Sequence, residues 1–528
     1  MNRAPREDLL NDNLFSALRR AFPADLDSTA IETADGPGAP RFYTWRDLDR
    51  ASARMANLLD SLDLPAQSRV AVQTEKSVEA LMLYLAVLRA GHVYLPLNNA
   101  YQSAEISYFI GNAEPAVVVC SPQHFGWFSK IAFKAGTRHV FTLGEDINGS
   151  LLERAAAQPD DHRPAQREPD DLAAILYTSG TTGRSKGAML THGNLLSNAL
   201  TLKDYWGWRS PAQGGDVLIH ALPIFHVHGL FVASHGALLN GSRMIWFSRF
   251  DPKATIARLR EASVFMGVPT LYTRMLAEPT LTPESCPSMR LFISGSAPLL
   301  KETHEAWTAR TGHVILERYG MSETTMITSN PYHARDGERV GGTVGFALPG
   351  VSVRIHDDKG HPVRAGEIGG VEVKGPNVFK GYWRMPEKTA EEFTTDLFFK
   401  TGDVGRMDES GRLTIVGRSK DLIITGGYNV YPAEIEGFIN EMPGVAESAV
   451  IGVPHPDFGE AVVAVVVPRE PGSASPDGAA ITAELKAKIA NFKVPKRIFV
   501  VVELPRNAMG KVQKNLLREA HHSLFAAA

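Results

Sequence analysis

Short apolar runs alternate with amphipathic helical stretches through roughly the first four hundred residues, and that alternation restricts the folds open to the chain. The run "RVAVQT" precedes "VEALMLYLAVLRAG", "PAVVVCS" and "DVLIHAL" read as buried strands, and "TIARLREAS" leads into "VFMGV". Strands that are apolar on both faces need cover on both faces, and the intervening helices supply it. The expected architecture is therefore α/β, a large multi-subdomain N-terminal part with parallel sheets covered by helices. From "VSVRIHDDKGHPVRAGEIGGVEVKGP" onward, short strands with glycine turns predict a β-rich subdomain. After Arg418 a further unit begins, in which "AVIGVP", "AVVAVVV" and "IFVVV" alternate with the helical "AEIEGFINEM" and "AAITAELKAKIANF". This fits a small α+β domain of about a hundred residues. The polar "AQPDDHRPAQREPDD" reads as an exposed connection and "EPGSASPDGAA" as a surface loop.

A chain of 528 residues exceeds what one compact core can organise, so two or more domains are expected. Hydrophobic residues at 44% and charged residues at 21% suit an ordinary globular protein, and a net charge of -3 leaves no basic footprint for nucleic acid. Two cysteines, Cys120 and Cys286, make no disulfide framework and suit a reducing compartment. The first residues lack a secretory apolar core, and Glu7, Asp8 and Asp12 argue against a transit peptide. No run approaches the ~20 apolar residues of a membrane span. A cytoplasmic enzyme, with no nucleic-acid or membrane partner, is the expectation.

The stretch "YTSGTTGRSKGA", Tyr177 to Ala188, crowds hydroxyls and glycines around two cations, Arg184 and Lys186. "DLAAILYT" before it reads as a strand, and "THGNLLSNALTLKDYW" reads as a helix starting at Thr191 or His192, so the loop is expected to join a strand to a helix. Glycines let backbone N–H groups turn toward a ligand, hydroxyls donate further bonds and Lys186 adds charge, which suits a polyphosphate. Gly180, Gly183 and Lys186 are too close together for a Walker A motif. On composition alone, a flexible surface loop is an equally open reading.

The full string resembles the phosphate loop of the adenylate-forming superfamily, which comprises acyl-CoA synthetases, nonribosomal peptide adenylation domains and firefly luciferase. Other signatures follow in order as far as Lys511, so the resemblance spans essentially the whole chain. It implies an N-terminal AMP- and acyl-binding domain over residues 1–418, a hinge at 419–420 and a mobile C-terminal domain over 421–528. It also implies ATP, Mg2+ and coenzyme A as ligands. Thr178, Ser179, Gly180, Thr181, Thr182 and Lys186 would contact the nucleotide. In "ERYGMSE", Glu317, Arg318 and Met321 would line the AMP site, Tyr319 would stack on adenine and Gly320 would keep the wall close. Ser322 would contact phosphate and Glu323 would hold Mg2+, which favours an oxygen ligand. Asp403 in "KTGDVG" would accept from the ribose hydroxyls. Arg418 would lie near ribose and phosphate, with Lys420 at the hinge. Lys511 in "LPRNAMGKVQK" would stabilise charge during adenylation. Rotation about Lys420 would then present "TGGYNVYPAEIE", with Gly426 and Gly427 lining a pantetheine tunnel too narrow for side chains.

For the acid, the resemblance places His226 in "LPIFHVHGL" at the gate to the acyl pocket, with His228 a weaker candidate. In "GVPTLYTRMLAE", Pro269 suits a helix start, while Leu271 and Met275 share an inward face. Periodicity alone places Arg274 on a solvated face. The stretch nevertheless resembles malonyl-CoA synthetases closely, alongside "ERYGM" and "SGSAPL". That implies a buried Arg274 pairing with the second carboxylate of a diacid. Ser296 would line the same pocket, with Gly295 and Ala297 on the adenine side. A guanidinium fork suits bidentate recognition. The implied reaction is ATP plus malonate plus CoA giving malonyl-CoA, AMP and pyrophosphate, with methylmalonate admissible because one methyl needs little room.

Rival readings are a synthetase for another short or medium-chain acid, an adenylation enzyme loading a carrier protein in trans, a luciferase-type oxidase and an inactive nucleotide-binding regulator. No carrier segment is expected after Lys511, and the presence of Lys511, Glu323 and Asp403 together argues against an inactive chain. Lys493, Lys496 and Arg497 form a basic cluster that suits either the CoA nucleotide or plain solvent. A monomer or weak homo-oligomer is expected.

Overall fold

The computed structural model describes residues 11–35, 39–178, 185–426, 428–469, 477–507 and 510–525. By contacts the chain divides into two compact units. The first takes in the chain up to Leu299 with Thr303–Ser352 and Val373–Phe399; the second is chiefly Val353–Glu372 and Lys400–Ala528.

Two large sheets organise the first unit. A nine-stranded sheet runs, edge to edge, Phe346–Ala347, Thr325–Ser329, Leu316–Met321, Leu291–Ser294, Val264–Gly267, Val217–His220, Arg243–Trp246, Thr29–Thr33 and Phe42–Thr44. Its central strands are parallel and its margins antiparallel. The seven-stranded sheet runs Gly381–Tyr382, Lys186–Thr191, Leu172–Thr178, Val93–Pro96, Arg69–Gln73, Val117–Cys120 and His139–Thr142. The α/β expectation holds. The strand Val117–Cys120 is buried at every position, and so is the helix Val78–Arg89, as a helix apolar around its circumference must be.

One expectation fails locally. Lys186–Thr191 is a strand, antiparallel to Leu172–Thr178 with Thr178 opposite Lys186, so the glycine-rich stretch links two strands and no helix follows it directly. The helix His192–Tyr205 starts one strand later. There Thr191 and Asn194 cap one another: Thr191 Oγ1 accepts from the Asn194 amide at 3.1 Å, and Asn194 Oδ1 accepts from the Thr191 amide at 3.0 Å.

The second unit contains a sheet built mainly from Ser352–His356, Ile368–Lys374, Phe399–Met407 and Leu413–Arg418, which is the expected β-rich part. Its other sheet centres on the long antiparallel pair Val445–His455 and Gly459–Pro468. Alternate residues there serve two cores. Val450, Val462, Ala464 and Val466 meet Ile435, Ile439, Ile481 and Leu485, while Ile451, Val453, Val463 and Val465 meet Leu504 and Leu517. A strand with both faces covered has to be apolar at consecutive positions, as "AVVAVVV" is. Among the described residues, no helix is long and apolar enough to cross a membrane.

Candidate active site

In the first unit the strand Leu316–Met321 and the turn after it carry the "ERYGMSE" residues. Gly320 has a close-packing reason: a Cβ there would strike the Thr325 carbonyl and Met326. Glu317 is buried, and its Oε1 accepts from the Gly342 amide at 2.9 Å. Burial pushes its carboxyl up to about 8, so it is mostly neutral at pH 7. Tyr319, Met321 and Ser322 are half-buried, while Glu323 is buried.

Arg318 is only 3% exposed, and its Nε and Nη2 have no hydrogen-bond partner among the described residues. Burial pushes its guanidinium down to about 9. It lies against the backbone of Gly295, where any side chain would run into the guanidinium. Beside it, Ser296 holds a left-handed φ of 72° and its Oγ lies 3.3 Å from His228 Nδ1. His228 sits at the start of a π-helix, His228–Ser234. Its Nε2 has no partner among the described residues, and burial and the nearby Arg318 charge hold it neutral, well below the usual histidine range. A buried guanidinium, a hydroxyl and a neutral imidazole thus converge. Ala297 follows Ser296 in the same bend.

His226 is half-buried, and its Nδ1 accepts from the His228 amide at 3.3 Å. Arg274 departs from expectation. It lies on the helix Pro269–Leu276, which does start at Pro269, but its side chain is exposed. Leu271, Tyr272 and Met275 take the inward face, which leaves Thr273 and Arg274 outside. The periodicity was the better guide to its burial.

Lys186 lies 3.3 Å from Glu392 Oε1, and its ammonium sits 4.2 Å from the centre of the Tyr382 ring. The Tyr382 hydroxyl donates to Glu323 Oε1 at 3.1 Å. Sequence reasoning missed Tyr382 and Glu392, because one tyrosine in "KGYW" and one glutamate in "PEKTAEE" carry no spacing signal. Thr178 Oγ1 donates to the Lys186 carbonyl at 3.4 Å. Ser179, Gly180, Thr181 and Thr182 lie outside the described residues, as does Gly427.

No group of three or more metal-ligating side chains occurs among the described residues. Mg2+ commonly takes one or two carboxylates and completes its shell with phosphate oxygens and water. The buried Glu323 carboxylate, oriented by the phenol whose ring also meets the Lys186 ammonium, fits an ion that arrives with a polyphosphate.

In the second unit, Asp403 is buried and pairs across the strand with Arg418, Nε to Oδ1 at 3.2 Å. Lys420 is exposed on the single turn Ser419–Asp421. Gly426 holds a φ of 57° and donates to the Phe458 carbonyl at 2.9 Å. Lys511 is half-buried, and its amide donates to Asn507 Oδ1 at 3.0 Å.

Family models match at residues 19–383, as "AMP-binding enzyme", and 434–511, as "AMP-binding enzyme C-terminal domain". The chain belongs to the AMP-binding enzyme family. This AMP-binding enzyme is 36% identical over 485 residues to a malonate–CoA ligase of Arabidopsis thaliana, covering 86% of this chain and 78% of that one. It is 34% identical to the human mitochondrial malonate–CoA ligase, covering 91% of this chain and 89% of the relative. Among solved structures, ATP-bound MatB from Rhodopseudomonas palustris superposes with a TM-score of 0.93 at 55% identity, covering 98% and 100% of the two chains.

Proposed function

We propose that the chain is an AMP-forming acid–thiol ligase that activates malonate with ATP and transfers it to coenzyme A, giving malonyl-CoA, AMP and pyrophosphate. A carboxylate is a poor electrophile because its charge repels nucleophiles and oxide leaves badly. Attack of one malonate oxygen on the α-phosphorus expels pyrophosphate and forms malonyl-adenylate. The CoA thiol then displaces AMP.

The observation that carries the diacid reading is Arg318. A buried cation with two unpaired N–H positions is costly, and an anion of matching geometry relieves that cost. The fork of Arg318, with the Ser296 hydroxyl beside it, receives the far carboxylate of malonate. Arg274, exposed on the helix Pro269–Leu276, is the second guanidinium assigned to the diacid in this reading. A monoacid would leave Arg318 unpaired, so the pocket discriminates by penalty as well as by attraction.

Lys186 and the glycine-rich stretch take the phosphates, while Glu323 would hold Mg2+, which neutralises phosphate charge when bound. Glu317, Tyr319, Gly320 and Met321 border the adenine, and Asp403 and Arg418 serve the ribose. His226 gates the acyl pocket. Lys511 stabilises the charge of the adenylation transition state. The domain arrangement in this reading is 1–418, a hinge at 419–420 and 421–528, with rotation about Lys420 exchanging Lys511 for Gly426 and Gly427. The setting is cytoplasmic, consistent with two buried free thiols, and the enzyme acts as a monomer or weak homo-oligomer.

A panel of malonate, methylmalonate, succinate, butyrate and octanoate, followed by pyrophosphate release with CoA present, tests the reading. Malonate is expected to lead, followed by methylmalonate. A lead for butyrate or octanoate would make this a monoacid ligase.

A further inference from the structure

We propose that Tyr382 is a positioning residue that sets the spacing between the phosphate-binding Lys186 and the metal-binding Glu323. The proposal rests on the reading of this site as an ATP site and is independent of which acid is activated. Tyr382 is buried and contacts both groups through different parts of one rigid side chain. Its ring face lies under the Lys186 ammonium at 4.2 Å, and its hydroxyl donates to Glu323 Oε1 at 3.1 Å. The first contact attracts a cation to the π-face; the second is a charge-assisted hydrogen bond.

The backbone around Tyr382 is fixed on both sides. Tyr382 pairs with Ala188 in the antiparallel register, the Trp383 amide donates to the Gly187 carbonyl at 2.8 Å, and the Lys380 amide donates to the Met189 carbonyl at 2.9 Å. The Phe379 amide donates to the carbonyl of Glu323 itself at 2.7 Å. Thr389 Oγ1 accepts from the Tyr382 amide at 2.9 Å. The short strand Gly381–Tyr382 is therefore stitched to the strand that begins with Lys186 and to the turn that carries Glu323. Lys186 belongs to the seven-stranded sheet, while Glu323 follows a strand of the nine-stranded sheet. Without a rigid bridge, the distance between cation and carboxylate would depend on how the two sheets slide.

The test is ATP titration by calorimetry into the parent chain, Tyr382→Phe and Tyr382→Leu, each with and without MgCl2. In the parent, Mg2+ is expected to strengthen ATP binding. Tyr382→Phe keeps the ring under Lys186, so metal-free ATP affinity should stay within about twofold of the parent, while the gain from Mg2+ should shrink about tenfold. Tyr382→Leu should lose both. Rescue of metal-free binding by Phe but not Leu is a readout that a purely structural role would not produce. An unchanged Mg2+ gain in Tyr382→Phe would overturn the proposal, as would equal loss of metal-free affinity in both variants. If Tyr382→Leu does not fold, the pair Tyr382→Phe and Glu323→Gln decides. The phenylalanine change should add nothing in the Glu323→Gln background, and additive losses would overturn it. Absence of ATP binding by the parent would overturn the ATP-site reading as well, which separates the two failures.

Discussion

Lys186 Nζ and Glu392 Oε1 stand 3.3 Å apart, so the cation expected to meet the triphosphate already has a carboxylate partner from the helix Pro386–Glu392. In the proposed ATP complex, the triphosphate takes Glu392's place. Glu392→Gln removes that competitor while leaving Lys388 its contact with Glu391 at 2.9 Å. ATP affinity by titration at low salt is expected to rise about two- to fivefold, the scale of a partly exposed ion pair. Weaker ATP binding would show that Glu392 aims the lysine and does not compete for it.

Glu317 gives a pH signature. Its carboxyl rises from an ordinary value near 4.5 to about 8 on burial, so the folded protein holds a proton that the unfolded chain releases. Stability from this group is undiminished below pH 4.5 and declines as pH climbs toward 8. Glu317→Gln cannot ionise, and Gln still accepts from the Gly342 amide. The Tm of the variant should therefore gain on the parent between pH 5 and pH 8, by roughly 1 °C for each kcal/mol removed in a chain of this size. Parallel Tm curves across that range would contradict the assignment.

The two half-reactions should separate genetically. Lys511→Ala is expected to lower malonate-dependent ATP–pyrophosphate exchange by about a hundredfold or more, while supplied malonyl-adenylate still reacts with CoA. Lys420→Pro should slow thioester formation more than adenylation. Equal slowing of both steps by Lys420→Pro would remove the hinge from the account.

Much of this site is legible in the sequence because its parts are contiguous. "ERYGMSE" places Glu317 to Glu323 on one strand and turn, and the reason for Gly320 is the Thr325 carbonyl that packs against it. The α/β alternation is equally legible, since strands covered on both faces must be apolar at consecutive positions. What escapes is non-local. "KGAMLT" is a strand through pairing with Leu172–Thr178 and Gly381–Tyr382, partners that the local pattern of the loop and the following helix does not announce. Tyr382 and Glu392 contact Lys186 and Glu323 from far away in the chain, which no spacing announces. Arg274 is the reverse case. Helical periodicity placed it outside, family resemblance argued it inside, and the side chain is exposed.

The central claim is that the buried Arg318 guanidinium receives the second carboxylate of malonate. The ratio of kcat/KM for malonate over butyrate, in the parent and in Arg318→Met, tests it most directly, with Arg274→Ala measured alongside. The parent should favour malonate by at least roughly a hundredfold, because butyrate leaves a buried cation unpaired. Arg318→Met should bring the ratio close to one, through loss of malonate use and gain of butyrate use, and Arg274→Ala should weaken malonate mainly through KM. A parent that uses butyrate as well as malonate, or an Arg318→Met variant that keeps the parent's ratio, would contradict the account.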